Sequence, residues 1–529
     1  MATSPQRAYR AACPNCGAPV EFASAASASA VCSFCRSTLV RDGEALKRIG
    51  TSAELFDDHS PLQLGVQGRR AGVAFTLVGR LQYGYEGGTW NEWHALFDNG
   101  KSGWLSEDNG AYVFSFDGPQ PPDAPALATL RAGTRVLANG RAWDVASVTR
   151  AKLIAAQGEL PTPPRLQGEF TVADLRNSAG EVATLDGSDP ARVHWSVGAS
   201  VALGELALSG LKETSEKTLG SRSLECPSCG TALEVKLATT QSIACHQCSA
   251  VVDISAGLGG ELKHYTQSNA GTDGAEPLIP LGSTGSLALG GKSAEWTVVG
   301  YQERCDIPED AEDDTSFWRE YLLYNRTEGF AFLVDTDDGW SWVKPITGVP
   351  TVRGDTATWQ GAGYRRKWSY AAKVTWVQGE FYWRVRREER AHVQDWEGTG
   401  ADTARRLSRE QTGDEVTWSA GRTIAAGEIA QAFRIDAARR GALDRDVKPL
   451  ASFSGSGMGF SKLVLIFIAF IVIAILMAQC SDDGCDDIKR SFGAASNEYQ
   501  QCVRNAGSGS RSGSGGSFGG WSSGGGGHK

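Results

Sequence analysis

The chain of 529 residues reads as mainly β, organised as a tandem duplication and followed by one apolar helix and a low-complexity tail. Three observations point there. The spacing Cys-x2-Cys-x15-Cys-x2-Cys occurs twice, at Cys13, Cys16, Cys32 and Cys35 and again at Cys226, Cys229, Cys245 and Cys248. Blocks of sequence that follow each cysteine set recur in the same order. Short runs rich in Val, Phe, Tyr and Trp, such as "AYVFSF" and "KVTWVQGEFYWRVRR", are separated by Asn-Gly, Asp-Gly and Gly-Gly turns, while sustained helical periodicity is scarce.

Each Cys-x2-Cys turn aims two thiolates at one point, so two turns supply the four soft ligands of a closed tetrahedral Zn²⁺ site. The spacing therefore predicts two structural zinc ions, each in a small ribbon, with no coordination position left for substrate. Disulfide pairing is the other reading. The opening "MATSPQRAYR" is polar and basic instead of secretory, which favours reduced thiols. His246, between two cysteines of one turn, is read as a bystander. Residues 7–48 carry six Lys or Arg against three Asp or Glu, and residues 222–264 carry three against four. With a net charge of −9, no phosphate-neutralising surface is evident, so nucleic acid is disfavoured as a partner of the ribbons.

The repeated blocks set the domain organisation. "FTLVG" at 75–79 matches "WTVVG" at 296–300, and "WNEW" at 90–93 matches "WREY" at 318–321 after an acidic insertion, "DIPEDAEDD". "AKLIAAQGEL" from Ala151 matches "AKVTWVQGEF" from Ala372, and "VHWSVGASVALGEL" from Val193 matches "VTWSAGRTIAAGEI" from Val416. The expected domains are a ribbon at 1–50, a β-domain at 51–213, a second ribbon at 214–260 and a second β-domain at 261–443. Each β-domain is expected to be a β-sandwich or a partly open barrel, long enough to bury its own core. A linker at 444–459, a transmembrane helix at 460–479 and a tail at 480–529, Gly/Ser-rich from about 507, complete the chain.

The block "FTLVGRLQYGYEGGTWNEWHALFDNGKSGWLSEDNG" and its counterpart in the second half resemble the bacterial domain of unknown function 4178. That pattern is a strand with "VVG", a Trp-x-Glu-aromatic strand and an apolar "WL" strand. The second copy departs from it, with Phe332-Leu333 in place of Trp104-Leu105 and a longer loop, so the copies need not bind alike. The resemblance implies no established activity.

Local motifs for catalysis are missing from the sequence. None of the seven histidines lies in a His-Glu-x-x-His motif, and no Gly-x-Ser-x-Gly elbow occurs. Gly291-Lys292-Ser293 ends like a phosphate loop, but Ser286 stands where its first glycine belongs and the segment runs into a strand, so a turn is expected. Glu92 and Glu320 hold the same place in the two copies, Glu92 beside Trp90 and Trp93 and Glu320 beside Trp318 and Tyr321. Either both sit on a solvated strand face beside a Trp-rich core, or they line a pocket with Trp90 and Trp318, as acid or as ligand for a small cation of polyamine type.

"LVLIFIAFIVIAILMA" at 463–478 contains no charge, and extended to Phe460 it reaches nineteen residues, near the ~30 Å of a bilayer core. Arg439, Arg440, Arg445, Lys448 and Lys462 precede it and only Lys489 and Arg490 follow closely, which places the N-terminal domains in the cytosol. Cys485 and Cys502 are a possible disulfide beyond the membrane, Cys480 a possible lipid attachment point, and the Gly/Ser-rich end cannot bury a core. The expectation is a single-pass protein of a bacterial cytoplasmic membrane that binds or scaffolds a protein partner. An enzyme or small-ligand binder using the β-domains, and a nucleic-acid binder using the ribbons, are the alternatives.

Overall fold

The computed structural model describes residues 9–22, 29–42, 45–51, 60–85, 88–108, 111–165, 168–212, 222–235, 240–254, 263–265, 277–291, 293–308, 315–325, 328–385 and 389–443. The expected membrane helix at 460–479, Cys480, Cys485, Cys502 and the Gly/Ser-rich tail lie outside these residues. Among the described residues no helix is long and apolar enough to cross a membrane.

The β-rich runs pair as two antiparallel meanders in each copy. In the first copy, β1 (Val73–Tyr85), β2 (Gly88–Phe97), β3 (Ser102–Asp108) and β4 (Ala111–Gly118) pair in sequence order. A second meander follows: β5 (Arg141–Leu160), β6 (Phe170–Arg176), β7 (Glu181–Asp186) and β8 (His194–Ser200). β4 then pairs with β8 and β5 with β1, so the eight strands close into a ring.

The second copy repeats this circuit pair for pair. Its strands are β9 (Ala294–Ile307), β10 (Phe317–Asn325), β11 (Gly329–Thr336), β12 (Gly339–Ile346), β13 (Ala362–Phe381), β14 (Arg390–Gly398), β15 (Arg405–Thr412) and β16 (Glu415–Thr423). β12–β16 and β13–β9 close it. The sequence left sandwich and partly open barrel unresolved; the pairing gives a closed barrel twice. Closure removes the exposed edges that an open sheet leaves.

The strand that turns the corner explains a repeated motif. β5 pairs with β6 over residues 144–151 and with β1 over 152–158. Where it crosses β1, Gly158 is opposite Gly79. Gly158 has φ +71°, and a Cβ there would clash with the Val78 carbonyl, while a Cβ on Gly79 would clash with the Glu159 carbonyl. Gly300 and Gly379 repeat the crossing in the second copy. The "VG" and "QGE" blocks are thus two halves of one close backbone approach.

Alternation then sorts side chains into layers. In the first barrel Leu81, Tyr83, Trp90, Trp104, Leu153 and Val172 form the interior cluster. Trp93, Ala95, Phe97 and Phe114 face outward, covered by Leu62 and Val66 before β1 and Val201 and Leu206 after β8. In the second barrel Trp318, Leu322, Phe332, Val334, Val343 and Val377 fill the interior. Its outer layer is covered by α1 (Ala426–Ala432), through Ile429 and Ala430. The stretch around Gly291 joins the strand Thr284–Leu287 to β9 as a hairpin, in line with the expected turn; Lys292 lies outside the described residues.

The two copies touch directly. Ser147 of β5 bridges Glu415 of β16, Val148 N donates to the Asp414 carbonyl at 3.1 Å and Val349 N to the Asn177 carbonyl at 3.3 Å.

Candidate metal centres and barrel interiors

All four Cys-x2-Cys turns share one backbone geometry. Cys13, Cys32, Cys226 and Cys245 each accept a bond at their carbonyl from the residue four places on, and each donates its N–H to the carbonyl five places on, at 2.8 to 2.9 Å. The residue after the second cysteine of each turn is left-handed: Gly17, Arg36, Gly230 and Ser249. This tight turn brings both thiols of a pair to one side.

The consequence is two four-sulfur clusters. The ligand atoms of Cys13, Cys16, Cys32 and Cys35, and of Cys226, Cys229, Cys245 and Cys248, lie within 4.8 Å of one another in each set, so each set can hold one metal ion. Sγ–Sγ separations are 3.6 Å for Cys13–Cys35 and 3.7 Å for Cys16–Cys32, Cys226–Cys248 and Cys229–Cys245. These are too long for disulfides, whose bond is ~2.05 Å. One thiol in each set is already biased toward thiolate. The Ser37 side chain, then Asn15, holds Cys35 down to about 5, and the Thr231 side chain and backbone hold Cys229 down to about 6.

Each ribbon is built onto its own barrel. The strand Ser29–Val31 pairs with residues 158–160 of β5, and Ser242 and Ile243 pair with Phe381 and Glu380 of β13. Ser29 Oγ donates to the Leu160 and Thr162 carbonyls, Thr240 Oγ1 donates to Glu380 at 2.6 Å, and Ser242 Oγ accepts from Val385 N at 2.9 Å. The ribbon strand therefore attaches right after the glycine crossing.

Glu92 and Glu320 are 7% and 1% exposed, so neither sits on a solvated face. Trp90 and Trp318, each two residues before its glutamate on the same strand, share the inward face and are buried; Trp93 and Tyr321 point outward. In the second barrel Trp318 Nε1 donates to Glu320 at 2.7 Å and Gln302 Nε2 donates to its other oxygen. Arg304 reaches across the interior to Glu410 on β15 with two bonds of 3.0 Å and approaches Glu320 at 3.5 Å, its guanidinium 5.6 Å from the Trp318 ring centre.

One cation thus faces two buried carboxylates. Burial pulls the Arg304 guanidinium down, and Glu410 and then Glu320 more than offset this, so it is held above its ordinary value. Burial pushes Glu320 up to about 7 against the pull of Arg304, whose closer bonds go to Glu410. Sequence reading found Glu320 and Trp318 but missed Arg304, Gln302 and Glu410. Only the pairing register brings them together.

The first barrel differs at these positions. Tyr83 opposes Trp90 where Arg304 opposes Trp318, and their rings stack at 4.8 Å. His94, also inside, bonds the Glu159 carbonyl at 3.0 Å and Ser102 Oγ at 2.8 Å; burial lowers its basicity. His246, expected as a bystander, is not among the clustered ligands.

No curated protein matches the chain. A family model matches it twice, at 63–202 and 287–426, together more than half of the chain and each spanning one barrel. The chain therefore belongs to the family described as Domain of unknown function (DUF4178), which it carries as two tandem copies.

Proposed function

We propose that the chain is a membrane-anchored scaffold whose two zinc-stabilised ribbon-and-barrel units hold a protein partner at the cytosolic face of a bacterial membrane. The observation that carries this reading is the closed four-sulfur geometry placed where each ribbon extends its barrel. Four thiolates around Zn²⁺ at ~2.3 Å lie ~3.8 Å apart at the corners of a tetrahedron, and the Sγ–Sγ edges of 3.6 to 3.7 Å fit that figure. Bound there, zinc would hold together small ribbons that cannot bury a core of their own. A tetrahedron of four thiolates keeps no open position, which supports a structural over a catalytic metal.

Membrane attachment rests on the uncharged apolar run at 463–478 and on the Lys and Arg that precede it. Two copies in one chain would offer two linked binding units, and so avidity toward a multivalent partner. Metal analysis of the purified chain with affinity capture from membranes tests both parts. Two zinc ions per chain and a stoichiometric protein partner are expected. Iron in the clusters, or a chain recovered in the soluble fraction, removes the corresponding part of the reading.

A further inference from the structure

The duplication places two versions of one barrel interior side by side, and they are finished differently. In the second barrel the position opposite Glu320 on β11 is Val334, and the position opposite Phe332 on β12 is Val343; both are fully buried among apolar side chains. In the first barrel the same positions are Ser106, opposite Glu92, and Ser115, opposite Trp104. These serines are 0% and 2% exposed, and among the described residues neither hydroxyl has a hydrogen-bond partner.

Leaving a buried hydroxyl unbonded costs ~1–3 kcal/mol. Two such hydroxyls on adjacent strands of one interior are places where an occupant would gain hydrogen bonds. The second barrel shows what kind. There the guanidinium of Arg304 lies over Trp318 between Glu320 and Glu410. The first barrel keeps the acceptors: Glu92 stands for Glu320, and Asp186, opposite Val172, stands for Glu410, opposite Val393. It keeps the indole as Trp90, but Tyr83 replaces the arginine. At the same end Asp117 is exposed and accepts from Trp104 Nε1 at 3.3 Å, while Asp186 is half-buried, so this end is open to water and acidic.

We infer that the interior of the first barrel binds one small organic cation, a guanidinium or alkylammonium, admitted past Asp117 and Asp186 and hydrogen-bonded inside by Ser106 and Ser115. The second barrel carries its own guanidinium and valine filling, and binds none. An eight-stranded barrel is just wide enough to be filled by its own side chains or to hold one small ligand, and serine at both belly positions leaves shorter, polar side chains where the second barrel has valines.

Titration calorimetry of the metal-loaded full chain with n-butylguanidinium and n-butylammonium tests this, with butyrate as the charge-reversed control. One cation per chain is expected, bound at least tenfold more tightly than butyrate. The double substitution Ser106→Val with Ser115→Val copies the second barrel and should weaken binding at least tenfold while raising the melting temperature. If that variant does not fold, Tyr83→Arg supplies the internal guanidinium and should have the same effect on binding. The inference is overturned by no binding of either cation, by butyrate binding equally well, by two cations per chain, or by unchanged affinity in the folded variant.

Discussion

Glu320 is the residue whose environment most determines its chemistry. Arg304 gives its two closer bonds to Glu410, so Glu320 is left with a 3.5 Å approach and the two neutral donors Trp318 and Gln302. Its carboxyl has an ordinary value of 4.5 and titrates near 7 when folded, so the native state holds an extra proton between those values. The stability this gives is complete below about pH 4.5 and is lost as pH rises through about 7. Glu320→Gln keeps an acceptor and removes the titration. Its thermal stability should equal wild type near pH 4 and exceed it at pH 8.5, by about 3 kcal/mol. Equal or lower stability at pH 8.5 would mean that Glu320 pairs with Arg304 as an ordinary ion. A second residue-scale test lies at the strand crossing. Gly158→Ala puts a side chain at φ +71° against the Val78 carbonyl and should cost ~1–3 kcal/mol in chemical unfolding; Gly204→Ala, at a position with open space around it, should cost less.

At the scale of elements, the ribbon and the corner strand form one unit. Ser29–Val31 and Ser242–Ile243 add hydrogen-bonded strands to the ends of β5 and β13. Metal removal should therefore be felt inside the barrels. Stripping the bound metal with a chelator, or replacing Cys13 and Cys16 by serine, should raise amide hydrogen exchange at 158–160 as well as in the ribbon itself. Exchange confined to the ribbon would show that the barrel edge holds without it. These elements were unequally legible in the sequence. The cysteine turns are local, and their spacing alone predicted both four-sulfur sets. The duplication was equally plain because it is a comparison of the chain with itself. Ring closure was not, since it depends on which distant edges meet, β4 with β8 and β5 with β1. The buried cluster was hidden for the same reason: Arg304 and Glu410 are 106 residues apart, and no local pattern marks their encounter.

At the scale of the whole molecule, the question is whether two barrels behave as one body. Their contact is polar and partly buried. Arg176 Nη1 donates to the Thr347 carbonyl of the other copy at 3.2 Å, beside Val349 N to the Asn177 carbonyl and the bridge from Ser147 to Glu415. Asp174, Glu415 and Asp108 all bear on Arg176, whose basicity burial lowers. Asp108 is in turn pushed well above its ordinary value, by burial first and then by Glu415 and Asp174. Among the described residues that act on Asp108, Arg176 thus sets a positive charge against carboxylates from both copies. Removing one partner of such a buried set leaves the rest uncompensated, at a cost of ~3–5 kcal/mol. Arg176→Ala should therefore do more than lower the melting temperature. Calorimetry of the wild-type chain should show the two barrels unfolding together, and the variant should separate them into two transitions. A single transition at an unchanged midpoint would place the coupling in the backbone contacts between Val148 and Asp414 and between Val349 and Asn177 instead of in this charge cluster.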